Sequence, residues 1–313
     1  MTMHFIEANL NTILRFVAVS LFCSVICAPV VSQRQNTSGF DATAVEAKAS
    51  NGDVAAMVQL GKAYLDGNGV TAGVDKGQVW LERAAEKGSV EAQMFLGAAY
   101  LSGTKLPKNR ELAAKYLLRV AQAQHVDDGF KGSQALAQYW VAMMYEQGAG
   151  VEKSHDQAIQ FLQMAANNGN APAEYDLAVL YNDGVGGISI DKTHACELFE
   201  KAAEQGHVRA MFNAGYCYQV GTGGQKDDSK AVNFYTKAAE AGSTRAQRNL
   251  GILFGRSGQP EKAYFWLRVA ESSGDAESKS FIDKLKPLLP PEQVEAAEKE
   301  VVAWLNAHPA KKQ

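Results

Sequence analysis

The sequence predicts an all-α fold, an α-α solenoid of about six helical-pair repeats followed by C-terminal capping helices. Three observations carry that expectation. An Ala is followed eight residues later by an aromatic at six places: Ala56–Tyr64, Ala92–Tyr100, Ala137–Tyr145, Ala173–Tyr181, Ala210–Tyr218 and Ala246–Phe254. The aromatics are spaced 36, 45, 36, 37 and 36 residues apart, and a period of roughly 20–50 residues marks units that bury their apolar faces only against neighbours. In five of the six, a Gly follows the aromatic by three residues.

Each period holds two helices. In the first, Ala56, Leu60 and Tyr64 fall on one stripe at 100° per residue, the amphipathic pattern. Three residues before each aromatic stands Gly61, Gly97, Ala142, Ala178, Gly215 or Gly251. A helical Gly costs about 1 kcal/mol relative to Ala, so its recurrence predicts a second helix crossing too closely for a side chain. The second helix carries a bulky residue and an Ala pair: Trp80 with Ala84 and Ala85, Phe161 with Ala165 and Ala166, Leu198 with Ala202 and Ala203, Phe234 with Ala238 and Ala239. Small pairs let helices approach while the large side chains fill the groove. Gly88, Gly169, Gly206 and Gly242 then stop these helices.

The pattern Ala-x-x-x-Leu-Gly-x-x-Tyr, Gly-x-Gly-Val, Lys-Ala-x-x-Trp and Ala-Ala-Glu-x-Gly resembles the Sel-like repeat, a relative of the tetratricopeptide repeat. Tyr64–Val70, Tyr145–Val151, Lys201–Gly206 and Lys237–Gly242 carry the resemblance most plainly. It covers roughly 53–274, as repeats 53–88, 89–132, 133–169, 170–206, 207–242 and 243–274, and implies a right-handed superhelix. Repeat 2 departs from it with Thr104-Lys105-Leu106-Pro107 and Val120, and repeat 6 has a shortened turn at Ser257-Gly258. Beyond the repeats, Asp275–Leu285 reads as a helix stopped by Pro287, and Glu292–Leu305 as another. Together 275–313 form the expected cap, with Trp304 as its core anchor.

Residues 1–32 read as a signal peptide. Arg15 precedes an apolar run from Phe16 to Val31, shorter than the ~20 residues of a membrane span. Cleavage is expected before Gln33, or alternatively at Ala28. An uncleaved anchor is the competing reading, in which case the chain would meet a membrane. Residues 33–52 read as a polar lead-in. Export to the periplasm or the exterior of a bacterial cell gives meaning to Cys196 and Cys217, which remain once Cys23 and Cys27 are removed. They lie level about the Gly206 turn, and an oxidising compartment would let them close a disulfide. Two buried thiols are the alternative.

Chemistry is sparse. Net charge is −3, without the clustered basic face that nucleic acid requires. His4, His125, His155, His194, His207 and His308 show no metal-ligand spacing on one helix, and no cofactor or metal is expected. Ser102-x-x-Lys105 and Ser189-x-x-Lys192 match the serine–lysine pair of penicillin-recognising enzymes, but both fall in inter-helix loops. Gly221-Thr222-Gly223-Gly224 follows a helix rather than the strand of a phosphate loop.

Function therefore rests on surface. Five residues before each aromatic stand Gln59, Phe95, Trp140, Asp176, Asn213 and Asn249. Phe95 and Trp140 interrupt a polar series, and their repeats flank the one insertion, around Gln122–Gly132. They are the expected partner-binding residues; packing beneath the insertion is the alternative. Tyr139, Tyr175 and Phe212, one residue further back, are expected to be structural. The reading is a non-enzymatic scaffold binding a protein or peptide on its concave face. An envelope enzyme acting on cell-wall or β-lactam substrates, or a structural spacer, are the competing classes.

Overall fold

The computed structural model describes residues 40–308. The signal-peptide reading, and the lead-in as far as residue 39, fall outside them. The described residues contain fifteen α-helices and no strand. The chain forms two compact units that divide after Asn170.

The first unit holds α1 (Ala42–Ser50), α2 (Val54–Asp66), α3 (Val74–Glu86), α4 (Val90–Ser102), α5 (Arg110–Ala121), α6 (Lys131–Gln147) and α7 (His155–Asn167). Helices α2/α3, α4/α5 and α6/α7 are the three repeat pairs. The expected lead-in contains a helix, α1. Asp41 caps it by accepting from the amides of Thr43 and Ala44, and Ala49 is fully buried where α1 meets α2. The insertion is not a free loop either. It becomes a 3-10 turn, Asp128–Phe130, and an added first turn of α6. Gln134 Nε2 donates 2.6 Å to the Ala123 carbonyl and fastens it.

The second unit holds α8 (Ala171–Asp183), α9 (Lys192–Glu204), α10 (Val208–Val220), α11 (Asp228–Glu240), α12 (Thr244–Arg256), α13 (Pro260–Ser272), α14 (Ser278–Leu285) and α15 (Pro291–Ala307). A 3-10 turn at Lys286–Leu288 joins the last two. The cap packs Ile282, Leu289 and Ala297 against Tyr264 and Leu267 of α13. Trp304 meets Trp266 edge to face, with ring centroids 5.7 Å apart.

Short couplets end one helix and start the next. Gly88 adopts φ +87° and Gly242 φ +94°, and a Cβ on either would touch nothing within 4 Å. Backbone handedness, not space, therefore selects glycine there. The next residue, Ser89 or Ser243, donates its amide to the Ala84 or Ala238 carbonyl and closes the finished helix. Its hydroxyl accepts from the amide of Ala92 or Ala246 and opens the next one.

The small position is a contact point. A Cβ on Gly61 would lie 2.6 Å from Leu81 Cγ, on Gly215 2.7 Å from Tyr235 Cδ1, and on Gly251 2.5 Å from Leu267 Cγ. In the first two cases the occupant is the residue immediately after the bulky one singled out in the sequence, and Leu267 likewise follows Trp266. Leu81, Tyr235 and Leu267 are buried to 1% exposure or less.

Polar side chains tie one repeat to the next. Gln93 Nε2 donates 2.9 Å to the Ala85 carbonyl, Gln138 3.1 Å to Ala121, and Gln247 3.3 Å to Ala239. Each adds a side-chain donor to a carbonyl in the last turn of the preceding helix, where the regular intrahelical bond is missing. Two repeat aromatics do likewise: Tyr100 donates to Glu82 at 3.3 Å and Tyr218 to Glu200 at 2.7 Å.

Candidate partner-binding surface

With core positions committed to repeat packing, the outward residues of the first helices are what remain for a partner. In the first unit Phe95 is half-buried on α4. Lys62 of α2 holds its ammonium 5.5 Å from the Phe95 ring centroid and 2.5 Å from Glu91 Oε1. The ring thus lies beside an ion pair, with exposed Gln59 on the preceding repeat. This mixed aromatic and charged face can receive an apolar side chain and pair its polar neighbours.

Trp140 does not join that face. It retains 7% exposure, which corrects its assignment as an exposed anchor. Rotation about the helix axis alone turns this position outward, but neighbouring elements bury it, and α6 touches α4 as well as its own pair partner α7. Tyr139 is equally enclosed at 9% exposure.

In the second unit the corresponding residues Asp176, Asn213 and Asn249 are half-buried. Asn249 Nδ2 donates 2.9 Å to the Tyr235 hydroxyl, which itself donates 2.8 Å to Gln219 Oε1. The Tyr175 ring lies 5.6 Å from Phe199 and 4.6 Å from His207. Phe212 packs 5.7 Å from Tyr235.

Cys196 of α9 and Cys217 of α10 are joined, with Cα atoms 5.9 Å apart. Both line a shallow cleft with Glu197, Glu200, Tyr218 and the turn Gly223–Gln225. A Cβ on Gly223 would lie 2.7 Å from Cys196 Cβ, so the turn rests on the bridge.

The serine–lysine pair is not assembled. Ser102 Oγ donates to the Ala98 carbonyl at 2.9 Å and meets Thr104 Oγ1 at 2.8 Å, while Lys105 pairs with Asp66 at 2.6 Å. Among the described residues no three His, Cys, Asp or Glu side chains cluster to hold a metal. No described helix is long and apolar enough to cross a membrane.

The sequence reading missed Gln93, Gln138 and Gln247, although each directly follows a repeat Ala. That regularity was the available signal. It also missed Glu174, which stands in the same place and is 4% exposed. Burial raises the Glu174 carboxyl above its ordinary pKa, against the pull of Lys201, and Gln205 Nε2 donates to it at 2.7 Å.

The model of the Sel1 repeat matches six times, over 54–89, 90–125, 135–170, 171–207, 208–243 and 244–275. The chain belongs to the Sel1 repeat family. The gap after residue 125 coincides with the insertion. The solved structure of c5321, a protective antigen of uropathogenic Escherichia coli with this fold, superposes with a TM-score of 0.67 at 27% identity, over 87% of this chain and 56% of that one. A Sel1 repeat protein from Oxalobacter formigenes gives 0.53 at 25% identity, covering 74% of this chain and 100% of that one. Among curated relatives, the Saccharomyces cerevisiae chitin synthase regulator SKT5 is 34% identical over 106 residues, 33% of this chain and 15% of that protein. Protein SHC1 of the same yeast is 35% identical over 112 residues, 33% of this chain and 22% of that protein. The chain therefore spans less than a quarter of the curated relatives it matches. Sel1 repeat proteins are generally protein-interaction scaffolds.

Proposed function

We propose that this Sel1 repeat chain is an exported scaffold that binds a protein or peptide partner and performs no catalysis itself. The supporting observation is the Lys62–Phe95–Glu91 face. An aromatic is held at an outward repeat position beside an ion pair, where other repeats carry Gln59 or Asn213. Such half-buried aromatics, ringed by polar groups, are what interfaces use as anchors. Export rests on the apolar run before Gln33 and on the Cys196–Cys217 bridge, which an oxidising compartment would maintain. The regulator named among the relatives agrees with a role exercised through contacts.

The test is cross-linked capture from the native cell with the wild-type chain and with Phe95→Gln in parallel. A stoichiometric protein recovered by the first and lost by the second is the expected result. Equal recovery by both, or turnover of a β-lactam or peptidoglycan by the pure protein, would overturn the reading.

A further inference from the structure

In the second unit, three consecutive first helices bring together donors that have no acceptor among the described residues. Tyr175 of α8 sits with its ring against His207 and forms no hydrogen bond through its hydroxyl. Burial raises the phenol above its ordinary pKa, so at neutral pH it is a donor. His207 caps α10, its Nδ1 accepting from the Ala210 amide at 3.2 Å. That pairing leaves the ring proton on Nε2. Burial, aided by Arg209, pushes the imidazole down to about 4, so the ring packed on Tyr175 is neutral and keeps its Nε2–H as a donor.

Arg209 and Arg245 are each the second residue of their helices, α10 and α12, and both are exposed. Neither forms an ion pair among the described residues, whereas Arg248 of the same α12 is held by Asp275 and Glu277. Both free guanidiniums act electrostatically on Tyr175, Arg209 the more strongly. Asp176 and Asp183 act in the opposite sense. Asp176 is already engaged. Asp183 ends α8, eight residues beyond Tyr175, or about 12 Å along the axis.

We propose that Tyr175, His207, Arg209 and Arg245 form a docking site for an acidic peptide segment of a partner protein. The arginines would each take a side-chain carboxylate, and the Tyr175 hydroxyl and His207 Nε2–H would donate to a third acceptor. Guanidinium pairs with carboxylate through two parallel donors. Two arginines one repeat apart suit acids distributed along an extended chain, rather than one compact anion. The site lies wholly in the second unit, so it stands or falls separately from the Phe95 face.

The probe is a fluorescent hexaglutamate peptide, titrated by anisotropy against the whole protein at about 50 mM salt, where screening is weak. Saturable binding is expected. Arg209→Gln with Arg245→Gln should weaken it about tenfold or more, as lost hydrogen bonds between charged groups predict, and Tyr175→Phe about threefold, the loss of one ordinary hydrogen bond. Arg256→Gln with Lys279→Gln removes equal charge from exposed positions elsewhere and should leave affinity unchanged. Should the double arginine variant melt early, the Tyr175→Phe result decides. No saturable binding, equal loss in the control variant, or displacement by millimolar inorganic phosphate would overturn the proposal.

Discussion

Gly97 of α4 and Leu117 of α5 approach so closely that a Cβ on the glycine would lie 2.7 Å from the leucine Cγ. The leucine is fully buried, so it has nowhere to retreat. Gly97→Leu should destabilise the protein by roughly 1–3 kcal/mol or more through overpacking. Thermal unfolding followed by circular dichroism reads the loss, and adding Leu117→Ala should restore part of it. An unchanged melting temperature would show that the crossing can open.

The Cys196–Cys217 bridge encloses a sequence separation of 21. Loop-closure arguments give about 3 kcal/mol for such a link. The protein isolated without reductant should weigh two hydrogens less than the sum of its residues, and reductant should lower its melting temperature. Two alkylatable thiols in the untreated protein would remove the bridge and, with it, one support for export.

His207 ties stability to pH. Its folded-state pKa of about 4 lies below the ordinary 6.5. The folded protein therefore binds that proton less well than the unfolded chain, and stability present above pH 6.5 is lost as pH falls toward 4. Protonation also places a hydrogen on the Nδ1 that caps α10. His207→Ser, which copies the caps at Ser89 and Ser243, should remove on the order of 3 kcal/mol of this decline. The readout is the difference between the two proteins' urea midpoints across that range. Parallel curves would show that another group titrates.

Glu174 carries the opposite sign. Its raised pKa means the fold favours the protonated form, so its contribution is greatest below pH 4.5 and is lost as pH rises through the folded value. Glu174→Gln keeps the acceptor for Gln205 and removes the buried charge. It should raise the melting temperature at pH 7 and give no gain at pH 4. A loss at pH 7 would show that the ionised carboxylate is needed.

Much of the fold is legible because packing geometry restricts residue size. Gly61, Gly97, Gly215 and Gly251 announce close crossings wherever they fall, and the glycine that ends a helix must accept positive φ. Side-chain fate depends instead on what lies opposite. Gln93, Gln138 and Gln247 look like surface residues until the preceding helix end supplies the carbonyl each one binds. The α1 helix was hidden in a polar stretch because burial of Ala49 on α2, not its own periodicity, holds it. Tyr175, Arg209 and Arg245 sit at two different repeat positions, so no single-position comparison brings them together.

Phe95 and Trp140 show the same limit and separate cleanly by experiment. They share a repeat position, yet one is half-buried beside Lys62 and the other retains 7% exposure. Phe95→Gln should leave the melting temperature within about 1 °C, because a solvent-facing substitution changes stability by no more than roughly 0.5 kcal/mol. It should nonetheless weaken partner capture, where such an anchor carries about 2 kcal/mol. Trp140→Asn should instead lower stability by about 3–5 kcal/mol, the usual loss for truncating a buried aromatic. A chain altered at both positions would fail in capture simply because it unfolds, so the two changes must be made singly. If Phe95→Gln also melts early, the ring belongs to the α2–α4 packing, and the partner surface lies on another face of the first helices.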